Sequence, residues 1–309
     1  MGLKQFKPAH WLYNLLHYKE LKHNRQAYKK YHINKPLIAS ISSKDFPDKT
    51  SQAWLDNGDS ALLAPQSAGF ASFTPAIQES IKGWSKNGYL ILPQFFSAET
   101  CRAVNDSIEQ LQQSGRIHFT NGNKLMFANK KSKTIRAVAE DAELKKILGF
   151  ILDKEVVPFQ TINFINGSEQ RAHSDSIHMT TYPLGYLIAA WIALEDVTAE
   201  NGPLFYYPGS QQLPFLFNSD YNEGSTFLKL GKKDYSDYED LLQELVQSNN
   251  YERKEFHAHT GDVLIWHANL VHGGAPILNK AATRKSMVIH YYATDVIKYH
   301  EITERPSLM

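Results

Sequence analysis

Apolar residues change their spacing once along the chain, near residue 155. Before that point the spacing is helical. Thr74 can cap a helix that opens with Pro75, Ile77, Ile81 and Trp84 share one stripe, and Gly88 supplies a stop. Residues 89–93 read as a short strand, and Ser97 caps a second helix whose stripe is Cys101, Val104, Ile108 and Leu111, ended by Gly115. Its place in that stripe makes Cys101 a core thiol rather than a nucleophile. Residues 141–152 form a third helical stretch through Leu144, Ile147, Leu148 and Ile151. Beyond residue 155 the runs are short and rich in β-branched and aromatic residues: 156–164, 186–194, 205–207, 263–266 and 286–292. Asn201-Gly202, Pro208-Gly209 and Gly261-Asp262 punctuate them as turns. The expected fold is mainly β with flanking helices, as a sandwich, jelly roll or barrel rather than a parallel α/β sheet.

Composition narrows the function classes. The 309 residues are 42% hydrophobic and 21% charged, enough to bury a large core. The single cysteine excludes an internal disulfide framework and a zinc site made of several thiolates. With 33 basic and 32 acidic residues, the charge balance does not point to nucleic acid. There is no run of about 20 apolar residues that would span a membrane, no secretory apolar run near the start, and Phe6 occupies the position where a myristoylation signal has Ser or Thr. A cytoplasmic protein is the expectation.

Charge is nevertheless uneven. Residues 1–35 hold eight basic side chains (Lys4, Lys7, Lys19, Lys22, Arg25, Lys29, Lys30 and Lys35) against Glu20, interleaved with Trp11, Tyr13, Tyr18, Tyr28 and Tyr31. Two readings stand for this arm: a solvated helical extension packed on the main domain, or a surface for an anionic partner. Residues 36–73 have no sustained period and read as linker or irregular wrapping. The expected organisation is an arm and linker over 1–73 and one domain over 74–309, within which 211–260 is an insertion placed either as a lid or as surface decoration. Ser236 and Glu239 have capping-box spacing ahead of Leu241, Leu242, Leu245 and Val246. Lys229, Lys232 and Lys233 there are candidates to receive an anionic substrate.

The chemistry-bearing positions are His173-Ser174-Asp175 and, 97 positions on, His272-Gly273-Gly274. Residues i and i+2 of a strand face the same way, so His173 and Asp175 can present a nitrogen and an oxygen to one ion. His272 from a distant strand completes two histidines and one carboxylate on one side of a metal. The open positions suit non-haem Fe(II), whereas structural zinc closes its tetrahedron. Arg284, twelve residues after His272, can form a bidentate pair with a carboxylate. Rival groupings are His257 and His259 with His267, or His267 in place of His272. The glycines after His272 permit close backbone approach and favour His272. No Gly-x-Gly-x-x-Gly or Walker sequence offers a nucleotide-phosphate seat.

These residues occur in an order that resembles the phytanoyl-CoA dioxygenase family: His173-Ser174-Asp175, Trp191-Ile-Ala-Leu-Glu-Asp196, Glu200-Asn201-Gly202, Pro208-Gly209-Ser210, Gly261-Asp262-Val263, His272-Gly273 and Arg284. Gly88-Tyr-Leu-Ile-Leu-Pro93 and Phe96-Ser97 extend the likeness, which covers roughly residues 74–295 and leaves out the basic arm. The resemblance implies a double-stranded β-helix (jelly-roll, cupin-like) core and an Fe(II)- and 2-oxoglutarate-dependent dioxygenase that consumes O2, hydroxylates a small or medium metabolite and releases succinate and CO2. It implies His173, Asp175 and His272 as iron ligands and Arg284 as the partner of the distal carboxylate of 2-oxoglutarate. Trp191, Ser286 and Gln160 become further cosubstrate neighbours. Two alternatives stand beside it: an oxygenase whose carrier-, lipid- or glycan-linked substrate is recruited by the basic arm, and a non-catalytic metal-binding jelly roll. The chain departs from the family pattern at Gly274, where a serine is frequent, and at His178, where an aromatic is frequent. Related halogenases replace the carboxylate ligand with a small residue, so Asp175 favours oxygen transfer.

Overall fold

The computed structural model describes residues 5–222, 225–231 and 235–309. Its strands, among those residues, are β1 (Tyr89–Leu92), β2 (Leu125–Met126), β3 (Val156–Phe164), β4 (Thr180–Tyr182), β5 (Leu187–Ala193) and β6 (Leu204–Tyr206), followed by β7 (Lys254–Phe256), β8 (Val263–His267), β9 (His272–Gly274), β10 (Ser286–Ala293), β11 (Ile297–His300) and β12 (Arg305–Pro306). A large sheet runs in the order β1-β8-β5-β10-β3-β2, and smaller sheets run β7-β6-β9 and β12-β11-β4. All of the paired strands are antiparallel. This is the expected jelly-roll core.

The central strands read as unbroken apolar runs because both of their faces are covered. On the outer face Ile188, Ala190, Ile192, Ile265, Met287, Ile289 and Tyr291 join one core with Cys101, Val104 and Ile108 of the helix Ala98–Gln113 and Leu144, Ile147, Leu148 and Ile151 of the helix Ala142–Leu152. On the inner face Ala189, Trp191, Ala193, Leu264, Trp266 and Val288 pack with Ile162 and Phe164 and with Leu204, Tyr206 and Phe256 of the small sheet. Period-two alternation therefore sorts each strand's residues between a helical layer and the interior of the jelly roll.

Helix boundaries follow local chemistry. Ser97 Oγ accepts from the Thr100 amide and an Asp141 carboxylate oxygen from the Leu144 amide, each capping a helix. The segment capped by Thr74 divides into Pro75–Lys82 and Trp84–Asn87 at Gly83, a break that spacing alone does not reveal. Gly88 ends it in the left-handed region (φ +73°), and a Cβ there would stand 2.2 Å from Gln211 Oε1. Ser236 lies inside the helix Tyr235–Ser248 rather than at its cap.

The arm is ordered and docked over its described residues. Helices Lys7–Leu16 and Asn24–Lys30 lie on the body, and the Asn24 side chain donates to the Lys298 carbonyl (3.0 Å) and accepts from its amide (2.9 Å) in the manner of a neighbouring strand. In the stretch between the arm and residue 74, Leu55, Ala64, Phe70 and Phe73 enter the main core, and Trp54 Nε1 donates to the Phe150 carbonyl at 2.9 Å. Leu148, wholly buried between its helix and the sheet, tests the outer layer. Leu148→Ala should cost about 2–5 kcal/mol, measured as a lower urea midpoint at unchanged m-value.

Candidate metal and cosubstrate site

The site is laid out along β10. Arg284, just before the strand, is followed at two-residue steps by Ser286, Val288 and His290, and all four are buried. Register places Ser286 beside Ala193 and Phe164, Val288 beside Trp191 and Ile162, and His290 beside Ala189 and Gln160. Roughly 13 Å of strand separates Ser286 from His290, so one strand supplies two chemically different levels to the same interior. These levels open on a cavity of about 300 Å³ lined from the large sheet by Gln160, Trp191, Trp266, Arg284 and His290, and from the small sheet by Leu204 and His272.

At the His290 level three possible metal-binding side chains converge. His173, Asp175 and His272 are buried, and each offers a ligand atom within 4.8 Å of the others. His173 Nε2 lies 4.0 Å and His272 Nε2 3.9 Å from Asp175 Oδ1. Each imidazole is aimed by its other nitrogen: Nδ1 of His173 sits 2.9 Å from the Arg171 carbonyl and Nδ1 of His272 2.9 Å from the Leu270 carbonyl. Those carbonyls accept, so Nδ1 carries the proton and Nε2 is left with a lone pair. The Gln170 side-chain nitrogen, 3.2 Å from His173 Nε2, finds an acceptor there.

Asp175 is held through its second oxygen. Trp266 Nε1 donates to Oδ2 at 2.8 Å, and His290 Nε2 lies 3.3 Å from the same atom, so Oδ1 remains for an ion. Burial raises the carboxyl pKa, but His290, His272 and His173 outweigh it and keep the group below the ordinary carboxylate range. Burial, with a neighbouring histidine, pushes His173 well down, and burial also lowers His272. Two neutral imidazoles and a carboxylate are the protonation states a divalent cation needs.

The strand expected over 173–175 is only partly formed. His173 makes an isolated bridge to His272, with both backbone bonds at 2.9 Å, and Ser174 is extended, but Asp175 opens a 3-10 turn to Ile177. The turn is fastened from the helix Tyr235–Ser248: Tyr238 Oη accepts from the Ser174 amide at 3.0 Å and lies 2.9 Å from its hydroxyl. This segment therefore buttresses the backbone of the site. Gly273 and Gly274 permit close packing, since a Cβ on Gly273 would meet the Gln170 carbonyl oxygen at 2.6 Å and one on Gly274 would meet Ser168 Oγ at 2.2 Å.

At the other level the Arg284 guanidinium is 2% exposed, donates from Nη1 to Ser286 Oγ at 2.9 Å, and stands 5.6 Å from the ring centres of Phe164 and Trp191. Its Nε has no hydrogen-bond partner among the described residues. Burial pulls its pKa down to about 10, opposed by the charge of Glu195. Gln160 Nε2 lies 3.3 Å from His290 Nδ1 and 3.4 Å from Met179 Sδ.

The rival histidines go elsewhere. His267 Nε2 is 3.0 Å from Asp56, and exposed His257 lies 3.3 Å from Glu255. Lys229 pairs its backbone with Phe6 and does not line the cavity, while Lys232 and Lys233 fall outside the described residues. Besides Arg284, Lys124 lines the cavity, and burial lowers its pKa while Asp175 raises it. His178, His290 and His300 line it as well, and burial takes His178 down to about 4. Of the groups that sequence reading passed over, His290 had a legible signal: it lies in strand phase with Arg284 and Ser286. Lys124 and Trp266 had none, because neither spacing nor motif connects them to the histidines.

His290 and Trp266 would reach an ion through Asp175 Oδ2, and the Trp266 ring also packs 4.5 Å from that of His272. His290→Ala and Trp266→Phe should each weaken Ni(II) or Co(II) binding roughly 10–100-fold, measured by calorimetric titration. Unchanged affinity in both would refute their orienting role.

Known proteins resemble this architecture. The phytanoyl-CoA dioxygenase (PhyH) profile matches residues 84–286. Phytanoyl-CoA dioxygenase domain-containing protein 1 of Mus musculus is 26% identical over 42% of this chain, which spans 64% of that protein's length. The ectoine dioxygenase of Stutzerimonas stutzeri (strain A1501) is 26% identical over 45% of this chain and 51% of its own. Among solved structures, the non-heme alpha-ketoglutarate-dependent carbocyclase SnoK from nogalamycin biosynthesis superposes with a TM-score of 0.60 at 17% identity, covering 78% of this chain and 90% of its own. EctD from S. alaskensis, crystallised with 2-oxoglutarate and 5-hydroxyectoine, does so at 0.55 and 20%, covering 80% and 83%. The profile takes in His173, Asp175, His272 and Arg284, and the chain belongs to the phytanoyl-CoA dioxygenase family.

Proposed function

We propose that this protein is an Fe(II)- and 2-oxoglutarate-dependent dioxygenase that hydroxylates a small or medium metabolite and releases succinate and CO2. The observation that carries this reading is the sharing of one cavity by a neutral-imidazole pair with a single carboxylate and, further along it, by a buried guanidinium that no carboxylate contacts among the described residues. The donor set fits Fe(II), for it is mixed nitrogen and oxygen, carries one negative charge, and lies on one side of the position it surrounds. When bound, iron and 2-oxoglutarate supply dioxygen activation coupled to oxidative decarboxylation.

The protein's own residues position and neutralise. His173 Nε2, His272 Nε2 and Asp175 Oδ1 hold the metal. Arg284, with Ser286 beside it, receives the distal carboxylate of 2-oxoglutarate through charge-assisted hydrogen bonds. Trp191 and Phe164 wall that carboxylate from water, which strengthens its attraction to the guanidinium. Gln160 is held near His290 and offers an amide to the same compartment. Lys124 adds a second positive charge at the cavity, and His178 and His300 present neutral rings to whatever occupies the remaining space. Residues 74–309 form the catalytic unit, with 1–73 packed upon it and 211–260 steadying the metal-binding turn. Among the described residues no helix is long and apolar enough to cross a membrane; a cytoplasmic setting is part of the proposal.

Anaerobic protein given Fe(II) and 2-oxoglutarate should develop the weak visible charge-transfer band of such complexes, and Asp175→Ala should abolish both the band and succinate release. Arg284→Gln should raise the 2-oxoglutarate needed for half-saturation by about 10–100-fold, as expected for losing a charged hydrogen bond worth about 1.5–3 kcal/mol. Iron-loaded protein that shows neither the band nor succinate above background would overturn the reading.

A further inference from the structure

The helix Lys7–Leu16 is seated with its polar side inward. Lys7, His10 and Asn14 are its buried positions, whereas Leu12, Tyr13, Leu15 and Leu16 are exposed, Leu16 at 77%. The inward residues lock this orientation. Lys7 Nζ ion-pairs with Glu304 at 2.5 Å and donates to the Thr226 carbonyl at 2.7 Å. Asn14 donates to the Ile38 carbonyl at 2.9 Å and accepts from Arg305 at 3.2 Å. Rolling the helix to hide its leucines would break a buried ion pair and strand its charges.

The apolar side continues into a second segment. Phe6 pairs with Lys229, the Lys7 amide donates to the Leu228 carbonyl at 2.9 Å, and the Trp11 ring lies 5.2 Å from that of Phe227. Phe227 is 77% exposed, and Phe6 and Leu228 are exposed too. Leu12, Leu15 and Leu16 on the helix, with Phe6, Phe227 and Leu228 on the segments paired beside its start, are thus outward apolar side chains, a feature that marks an interaction surface on a folded protein. A run of exposed cations follows at once in the chain. Lys19, Lys22, Arg25, Lys29 and Lys30 are exposed, and none has a carboxylate partner among the described residues. Arg25 instead reaches the Tyr18 hydroxyl at 2.9 Å, and Glu20 is engaged by His17 at 2.9 Å.

We propose that this face docks on a bilayer rich in acidic phospholipids. The leucines and Phe227 enter the boundary between headgroups and acyl chains, while the lysines and Arg25 lie at the level of the phosphates. Leucine on one side of a helix with adjoining cations and tyrosine is the chemistry of an element that lies in the membrane interface. Ten residues are too few to span it. A second copy of this chain is the poorer occupant, because a two-fold contact through the leucines would bring Lys19 and Lys22, three and six residues beyond Leu16, toward their own copies.

The full chain should be sedimented with vesicles of phosphatidylcholine alone or with about 30% phosphatidylserine. Binding to the acidic vesicles should be at least roughly tenfold tighter and should weaken as salt rises from about 0.1 to about 0.5 M. Leu15→Asp with Leu16→Asp should lower partition on acidic vesicles roughly tenfold or more, and Lys19→Glu with Lys22→Glu should remove the preference for phosphatidylserine. All four positions are exposed, so both double variants should keep the wild-type thermal midpoint and the wild-type rate of succinate release. That keeps the docking test separate from the catalytic one. The proposal falls if wild-type protein stays in the supernatant with acidic vesicles, including the case where it self-associates through the patch. It falls equally if the leucine substitutions leave binding unchanged.

Discussion

The structure turns on one buried carboxylate. Removing an ionised Asp175 from water is expensive unless hydrogen bonds and opposite charge replace the lost hydration. Here hydrogen bonds come to Oδ2 from two strands, the Trp266 indole of β8 and the His290 imidazole of β10, while His272 of β9 and His173 stand 3.9 and 4.0 Å from Oδ1, where a cation held between them would supply the opposite charge. The carboxylate is accommodated only when the large and small sheets close on each other. The Tyr238 hydroxyl on the Ser174 backbone ties the helix Tyr235–Ser248 to the same site.

A second electrostatic feature sits further along the same strand. Buried polar groups are normally satisfied, yet among the described residues the Arg284 guanidinium has one hydrogen-bond acceptor, the Ser286 hydroxyl, and otherwise faces aromatic rings. The interior is therefore polarised along β10, with a carboxylate and imidazoles at one level and, at the other, a cation that feels the charge of Glu195 without a carboxylate contact among the described residues. That gradient matches the proposed pairing of a metal with a dicarboxylate cosubstrate. The N-terminal helix inverts the usual rule in the same physical terms: polar residues go inward because Glu304 and Arg305 await them, and the leucines are left outside.

Much of this was legible from residue order. Strand periodicity marked β3, β5, β8 and β10, and cap residues marked the helices that begin after Ser97 and Asp141, because these signals depend on neighbours a few positions apart. The His173-Ser174-Asp175 motif with His272 and Arg284 named the residues the fold gathers around the cavity. Less legible were the break at Gly83, the 3-10 turn at Asp175 and the packing role of Gly273 and Gly274, each set by contact with chain far away.

What the sequence determined by itself was the pattern that follows from local chemistry and short spacing: which strands have two apolar faces, where helices start, and which side chains carry metal-binding and anion-binding groups. Only the tertiary structure decided which of those groups meet. It drew His290, Trp266 and Lys124 toward Asp175 and sent His267 to Asp56 and Lys229 to Phe6. The physical reason is that sheet register and the closure of two sheets bring together residues a hundred positions apart, and no local propensity encodes which pairing buries charge at the lowest cost.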